Sequence, residues 1–399
     1  MQEAERYFRE RYRDILNANP WMAGRLVRDQ GKPVIVAPAA INDELFAGCD
    51  VDASLLQINP PGVNINPSMS ALEMGKYAAK ADIPWGYAAI DNKHAPLVRL
   101  VLVPCRNADG TAADTAAGGA ADFCVLWYSS HVAGDGRTHY QMLSMFSSEQ
   151  PVKSLNVTRT LGLNDKVQAI MGYDVVGWLR SSAHMLNYMY NALCRKKPQF
   201  FNAFVDHERV SILKAEATSA STEAPFVSTN DVLMSSLGRL TGARILLMPV
   251  DFRGRVSGVG DSDAGNYASI MLFDDGVYKT PAGIRKAVNS MKEQGASQST
   301  GPAVVGRTKP LPSVMRFRSD KFAGMTNWSS FHKNVVVPGC EEVLHLPGGD
   351  FESLLGWIAY DDVVLYRAHR DQLAALVFSK DFSEEDYFRA MPLKPFVTP

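Results

Sequence analysis

The sequence predicts a mixed α/β protein built from two domains. Strand-like and helix-like stretches follow one another in both halves of the chain. Its 399 residues suffice for two domains of about 150 to 200 residues each. No internal repeat of about 20 to 50 residues is visible. We therefore expect domains at residues 1–215 and 228–399, joined by a linker at 216–227.

The elements of the first half follow from the spacing of apolar residues. Tyr7, Phe8 and Tyr12 recur at helical spacing between charged positions, which predicts an amphipathic helix. The predicted elements are, in order, a helix over 3–18, strands over 33–36, 95–103 and 124–129, helices over 138–146 and 176–193, and a strand over 209–215. The small residues of 107–120 predict an exposed, mobile loop.

The second half opens with a helix-start signal. Ser228 or Thr229 is placed to cap a helix that runs toward Arg239. Strands over 244–250 and 267–273, a helix over 282–291 and a polar, glycine-rich stretch over 293–306 are expected to follow.

Composition excludes several classes of protein. Lysine and arginine number 41 against 42 aspartates and glutamates, a net charge of -1, so no overall field favours nucleic acid or an anionic membrane. The odd number of cysteines, without C-x-x-C or Cys/His spacing, argues against a disulfide framework or a zinc site. The charged start is unlike a signal peptide, and the apolar runs are of strand length. We expect a cytoplasmic protein without a membrane span.

The most informative segment is the turn from His131 to Gly136. It lies between a buried strand-like run and an amphipathic helix-like run, so it predicts a strand-to-helix turn. Because an imidazole has an ordinary pKa of about 6.5, His131 is suited to accept a proton near neutral pH. Asp135, four residues on, is placed to hold the loop. The alternative is a loop histidine without a role.

Five segments in order resemble the BAHD-type acyltransferases of the CoA-dependent superfamily, which includes chloramphenicol acetyltransferase and condensation domains. The segments are Pro20–Leu26, His131–Gly136 (H-x-x-x-D-G), Ser228–Leu233, Asp251–Arg255 with the later Gly265–Asn266, and Thr326–Trp328. The resemblance implies two chloramphenicol-acetyltransferase-like domains, each a mixed sheet flanked by helices, with an active-site tunnel at their interface. It also implies a monomeric enzyme of secondary metabolism.

The resemblance assigns the chemistry to the turn. His131 is the general base that deprotonates an acceptor hydroxyl or amine, which then attacks the thioester directly. Asp135 pairs with Arg253 through two parallel hydrogen bonds and locks the His131 loop to the other half. The alternative is that Asp135 and Arg253 are unrelated surface charges.

Other site residues follow from the same resemblance. Gly134 and Gly136 permit a close backbone approach or a positive φ, with ordinary turn chemistry as the alternative. Trp328 and Thr326 donate to the thioester oxyanion, unless the tryptophan is simply part of the core. Asn266 braces the site.

The implied co-substrate is acyl-CoA, the acceptor is a small-molecule alcohol or amine, and no permanently bound cofactor or metal is expected. Candidates for the CoA phosphates are Arg285, Lys286, Lys292 and Arg307, each with a solvated surface role as the alternative. The donor chain, the acceptor and O- versus N-acylation stay open.

Departures from the family pattern define the alternative function. Val335–Cys340 stands where plant members carry D-F-G-W-G, and no strand precedes the opening helix, so the acceptor pocket is trimmed or the chain truncated. Ser130 replaces the second histidine of condensation domains, which favours a BAHD-like enzyme. The alternative is a non-catalytic or carrier-protein-dependent binding protein related to condensation domains.

Overall fold

The computed structural model describes residues 2–43, 54–66, 69–84, 86–92, 95–106, 122–222, 224–296, 305–349, 351–369 and 372–397. The helices are α1 (Gln2–Ala18), α2 (Ala71–Ala78), α3 (Gly136–Ser144), α4 (Leu163–Met171), α5 (Val175–Leu179), α6 (Ser182–Cys194), α7 (His207–Ser219), α8 (Thr229–Thr241), α9 (Asp275–Tyr278), α10 (Pro281–Ala296), α11 (Phe351–Leu355) and α12 (Glu384–Ala390). The strands are β1 (Arg25–Asp29), β2 (Lys32–Val36), β3 (Leu56–Ile58), β4 (Val98–Pro104), β5 (Phe123–Ser129), β6 (Gln199–Val205), β7 (Ile245–Asp251), β8 (Ala268–Phe273), β9 (Phe322–Asn327), β10 (Asp361–His369), β11 (Gln372–Ser379) and β12 (Leu393–Pro395).

A small sheet organises the first half. Its described strands have the order β3-β4-β5, and β1 and β2 form a separate hairpin. Helix α1 buries one apolar face on this sheet, as its spacing predicts. The Tyr12 ring lies 5.8 Å from Trp127 of β5 and 5.5 Å from Phe146, which follows α3. The helix therefore anchors the strand and the turn that carry His131.

A seven-stranded sheet organises the rest of the described chain, in the order β12-β6-β11-β10-β9-β7-β8. Strand β9 runs parallel to both β7 and β10, and the other neighbours are antiparallel. The largest core cluster joins the sheet to the helices, with Leu246 of β7, Leu233 of α8 and Ile284 of α10 all fully buried. This is the mixed α/β architecture that the sequence predicts.

The predicted strand over 209–215 is wrong, because these residues belong to helix α7. Its N-cap Asp206 accepts a hydrogen bond from the Arg209 amide at 3.2 Å. Val210 and Ile212 mimic the alternation of a strand, yet Val210 is buried and Ile212 is 53% exposed. Local alternation does not separate the two structures when a helix packs only a narrow face.

Other differences concern boundaries and missed strands. The helix predicted over 176–193 is interrupted at Arg180, and Ser181 caps the second part, α6. Strands not predicted are β1, β3, β6, β9, β10, β11 and β12. The predicted loop at 107–120, residues 297–304 of the glycine-rich stretch and Cys49 lie outside the described residues. In the described part of the chain, no helix combines the length and the apolar character needed to cross a bilayer.

Candidate active site

The turn after β5 presents His131 at the surface. The Ser130 amide donates to Leu97 O at 2.7 Å and ends the pairing with β4, and the Ala133 amide closes a turn on Ser130 O at 2.9 Å. Asp135 then caps α3 by accepting from the Thr138 amide at 3.0 Å. The His131 side chain is exposed, and its backbone oxygen accepts from Asn266 Nδ2 at 2.9 Å.

Sheet topology places the second-half motifs beside this turn. Because β7 and β9 are parallel, their carboxyl ends meet at one edge, where antiparallel β8 begins. Asp251, Asn266 and Trp328 therefore converge from three segments that are distant in sequence. The N-terminal end of α3 packs against the same edge, because the Asp135 amide donates to Gly265 O at 3.1 Å.

The pair of Asp135 and Arg253 predicted from the sequence is present and bidentate. Arg253 Nη1 donates to Asp135 Oδ2 at 2.9 Å, and Nη2 donates to Oδ1 at 3.1 Å. Both side chains are buried: that of Arg253 is 0% exposed and that of Asp135 is 6% exposed. Arg253 also donates to Asp251 Oδ1, Asp263 O and Gly265 O. The guanidinium thus joins the His131 turn to the end of β7.

The surroundings of Asp135 keep its carboxyl ionised. Burial alone raises the pKa of its carboxyl, but hydrogen bonds and charge from Arg253 outweigh burial. The amides of Thr138 and Tyr267 act in the same direction, and the pKa lies below its ordinary value. Burial lowers the pKa of Arg253, but hydrogen bonds and charge from Asp135 and Asp251 outweigh burial, and the pKa lies above its ordinary value. Asp135 is therefore a fixed anion and does not supply a proton.

The two glycines of the turn are required by close packing rather than by positive φ. A Cβ on Gly134 would lie 2.6 Å from the side chain of Thr138. A Cβ on Gly136 would lie 2.9 Å from Trp328 Nε1. Neither residue has a positive φ, so that part of the expectation is wrong, while Gly265 next to the pair has a φ of 142°.

Trp328 and Thr326 lie at the end of β9. The Trp328 amide donates to Leu365 O at 2.8 Å, and its ring centroid lies 6.3 Å from that of Tyr140. Its indole edge faces Gly136, five residues after His131 in sequence. Thr326 is half-buried and pairs with Val364 of β10. The indole nitrogen thus lies against the first turn of α3.

A cleft of about 870 Å³ opens beside this edge. Arg137, Arg255 and Arg285 line it together with Asn230, Asn327 and Phe331. Arg137 pairs with Asp251 at 3.4 Å and with exposed Asp261 at 2.8 Å. Burial, together with the nearby charge of Arg137, lowers the pKa of Arg255 despite Asp251. The cleft is therefore rich in guanidinium groups, and His131 lies outside its lining.

The four predicted phosphate ligands have separate locations. Arg285 lines the cleft, where it already pairs with buried Asp231 at 2.7 Å. Lys286 is exposed on α10, and Arg307 stacks on the Tyr173 ring at 4.4 Å. The side chain of Lys292 is outside the described part of the structure.

The cationic residues Arg137 and Arg255 were not predicted. Each had a local signal, since Arg137 directly follows the H-x-x-x-D-G turn and Arg255 ends the D-F-R-G-R segment.

A histidine cluster beside Tyr140 was also not predicted. The rings of His332 and His345 stack at 3.8 Å, and His332 Nε2 lies 2.9 Å from Glu342 Oε1. His345 Nδ1 lies 2.7 Å from Arg367 O, so it carries the proton and leaves Nε2 to accept from Tyr140 at 3.3 Å. Burial, together with its neighbour His332, lowers the pKa of His345 to about 3.

Neighbouring His139 is neutral for the same reason, because burial lowers its pKa to about 4. Its Nδ1 lies 2.6 Å from Ser129 Oγ, so the residue belongs to the packing around the turn. The described residues contain no group of three His, Cys, Asp or Glu that could hold a metal ion.

The fold is a mixed α/β arrangement of sheets flanked by helices, as the sequence predicts. No protein-family model and no curated protein matches the chain. Solved structures do match. TRI101 of F. sporotrichioides complexed with coenzyme A and T-2 is 15% identical, with 97% of this chain and 88% of that chain covered and a TM-score of 0.50.

Two further structures show the same fold. TRI101 of F. graminearum complexed with ethyl coenzyme A is 14% identical, with 96% and 88% of the chains covered and a TM-score of 0.50. Polyketide synthase associated protein 5 from Mycobacterium tuberculosis is 14% identical, with 96% and 87% covered and a TM-score of 0.51. At these identities the likeness establishes the fold.

Proposed function

We propose that this protein transfers an acyl group from acyl-CoA to a hydroxyl or amine of a small molecule. The observation that carries the proposal is the buried, bidentate pair of Asp135 and Arg253. It joins the turn that carries His131 to the edge of the sheet where Trp328 follows β9. The solved TRI101 structures with coenzyme A support a CoA donor for this fold.

The reaction needs a base, a positioned thioester and an oxyanion donor. His131 accepts the proton of the acceptor as the acceptor oxygen or nitrogen bonds to the thioester carbonyl carbon. Trp328 Nε1 and Thr326 Oγ1 donate to the oxyanion of the tetrahedral intermediate. When the C–S bond breaks, His131 returns the proton to the CoA sulfur, and no acyl-enzyme forms.

The arginine-lined cleft is suited to the phosphates of the donor. Arg137 and Arg255 are the cations that we favour for this role. Arg285 is held by Asp231, which is 1% exposed, whereas Asp261 beside Arg137 is 82% exposed and can give way to a phosphate. Guanidinium groups bind phosphate oxygens bidentately. The pantetheine arm would extend from the cleft toward His131 through the predicted tunnel.

Release of free thiol with panels of acyl-CoAs and acceptors tests the proposal. His131→Ala is expected to lower kcat by about 10² to 10⁴-fold, the usual contribution of a general base. Because His131 is exposed, the urea unfolding midpoint of this variant should equal that of the wild type. His207→Ala, at another exposed histidine, is the matched control and should keep full activity. Persistent silence of the wild type over wide panels, or full activity of His131→Ala, would contradict the proposal, and silence would favour the binding-protein alternative.

A further inference from the structure

Helix α6 has inverted polarity. Its buried positions include the polar residues His184, Asn187 and Asn191. Its solvent face carries Met185, Leu186, Met189 and Leu193, which are 47%, 44%, 40% and 63% exposed. A surface helix normally places its apolar stripe on the core and its polar residues in water. The reversal leaves a continuous apolar face in contact with solvent.

Specific hydrogen bonds fix this orientation of the helix. Asn187 Nδ2 donates to the backbone oxygens of Phe317 and Asp320 at 2.7 and 2.8 Å. Lys380 Nζ, which lies outside the helix, donates to Asn191 O. His184 Nδ1 lies 2.9 Å from Leu179 O. Rotating the helix to bury its apolar face would break these bonds. The hydrogen bonds of the polar face therefore hold the apolar face in solvent.

Neighbouring segments extend the apolar face on both sides. On one side, Tyr188 donates to Trp357 O at 2.6 Å, and the Trp357 side chain is 63% exposed. On the other side, Tyr190 packs edge-on against Phe317 at 5.9 Å, next to Met315, which is 88% exposed. We call this surface the α6 ridge; its residues are Met185, Leu186, Met189, Leu193, Met315 and Trp357.

Basic side chains border the α6 ridge. Exposed cations lie before and after the helix and on the segment beside it: Arg180, Lys196, Lys197 and Arg318. Two carboxylates lie among them, and both are paired. Asp320 is held by Arg316 at 3.2 Å, and Asp381 is held by Arg195 and by Lys321, the latter at 3.1 Å. The border is therefore locally positive in a chain whose net charge is -1.

This combination fits a lipid surface better than a protein partner. Met315, Leu193 and Trp357 project into solvent, so a rigid partner would need a groove of matching shape, whereas a lipid interface adapts to a projecting ridge. Methionine, leucine and tryptophan enter the interface, while lysine and arginine meet anionic headgroups. We propose that the α6 ridge binds the surface of membranes that contain anionic phospholipids, with α6 parallel to the bilayer plane.

Vesicle flotation with the full-length chain tests this proposal. The chain is expected to float with vesicles of phosphatidylcholine plus phosphatidylserine, more weakly with phosphatidylcholine alone, and less as salt is raised. The triple variant Met185→Gln/Met189→Gln/Leu193→Gln should weaken binding about a hundredfold. Glutamine is a good helix former, so the circular dichroism spectrum should not change.

The charge contribution is tested separately. Lys196→Gln and Lys197→Gln should each weaken binding to anionic vesicles about fivefold. Ile212→Gln, at a half-exposed apolar position on α7, is the matched control and should bind as the wild type does.

Three results would overturn the proposal. The first is absence of flotation with anionic vesicles at low salt, and the second is equal flotation of the triple variant and the wild type. The third is a wild type that is dimeric and a triple variant that is monomeric, with neither protein binding vesicles. The last result would assign the α6 ridge to a second copy of the chain. Flotation requires no turnover, so its outcome is independent of the proposed acyl transfer.

Discussion

The coupling between Asp135 and Arg253 is measurable by a double-mutant cycle. The carboxylate of Asp135 accepts from the Thr138 amide and hydroxyl, two guanidinium nitrogens and the Tyr267 amide. In Asp135→Asn, the amide NH₂ must face some of these donors. Arg253→Met removes the guanidinium, and the double variant removes both charges.

The expected magnitude follows from burial and from the remaining partners. Removing one partner of a buried ion pair costs about 3 to 5 kcal/mol. Because Arg253 keeps Asp251 Oδ1 at 2.9 Å, we expect Asp135→Asn to cost about 3 kcal/mol, at the lower end of this range. The coupling energy of the cycle should be about 2 kcal/mol or more.

Urea unfolding followed by tryptophan fluorescence measures these energies. The exposed pair of Arg389 and Asp386, at 69% and 37% exposure, is the matched control, with an expected coupling of about 0.5 kcal/mol or less. A coupling for Asp135 and Arg253 no larger than that of the control would refute the reasoning.

The same cycle has a predicted pH dependence. The folded pKa of Asp135 lies below its unfolded value, so its contribution is present above the unfolded pKa of about 3.9 and is lost as pH falls through the folded pKa. The difference in stability between wild type and Asp135→Asn should therefore shrink in acid below about pH 4. A difference that stays constant into that range would contradict the charge assignment.

Two further predictions concern the surroundings of the turn. Gly136→Ala places a Cβ 2.9 Å from Trp328 Nε1, so the indole must move. We expect the rate of thiol release to fall at least about tenfold with little change in the urea unfolding midpoint. Wild-type activity of this variant would contradict the role of Trp328 as an oxyanion donor. Burial lowers the pKa of His345 to about 3, below its unfolded value, so unfolding takes up a proton between that value and about pH 6.5 and stability falls as pH falls through this range. His345→Gln should flatten the dependence of the urea midpoint on pH there, and an unchanged slope would show that the imidazole is not the group responsible.

Features set by neighbouring residues were predictable from the sequence. The turn from His131 to Gly136 is predictable because a strand-like run and an amphipathic helix-like run flank it within a few residues. Local sequence likewise predicts a cap at Ser228 or Thr229. The structure selects Ser228, whose side chain accepts from the Asp231 amide at 3.3 Å. The pair of Asp135 and Arg253 joins residues 118 apart, and family resemblance supplied it.

Features set by tertiary contacts were not predictable. His332 and His345 are 13 residues apart and stack only because the chain turns back beside β10. The helix over 207–219 was taken for a strand because a partly exposed apolar residue, Ile212, imitates alternation. The guanidinium groups of Arg137 and Arg255 meet in one cleft because α3 docks on the end of β7, which composition and spacing do not reveal.

Strand β6 decides how this molecule can be dissected. It lies between β11 and β12, with Gln199 paired to Ser379 and Val205 paired to Leu393. A fragment that begins at the predicted linker would lack this strand. The backbone N–H and C=O groups of β11 and β12 that pair with β6 would then be unpaired and free to bind another chain. Separate expression of that fragment should give aggregates, whereas co-expression of both pieces should allow complementation. A cut placed before Gln199 keeps all seven strands on one polypeptide.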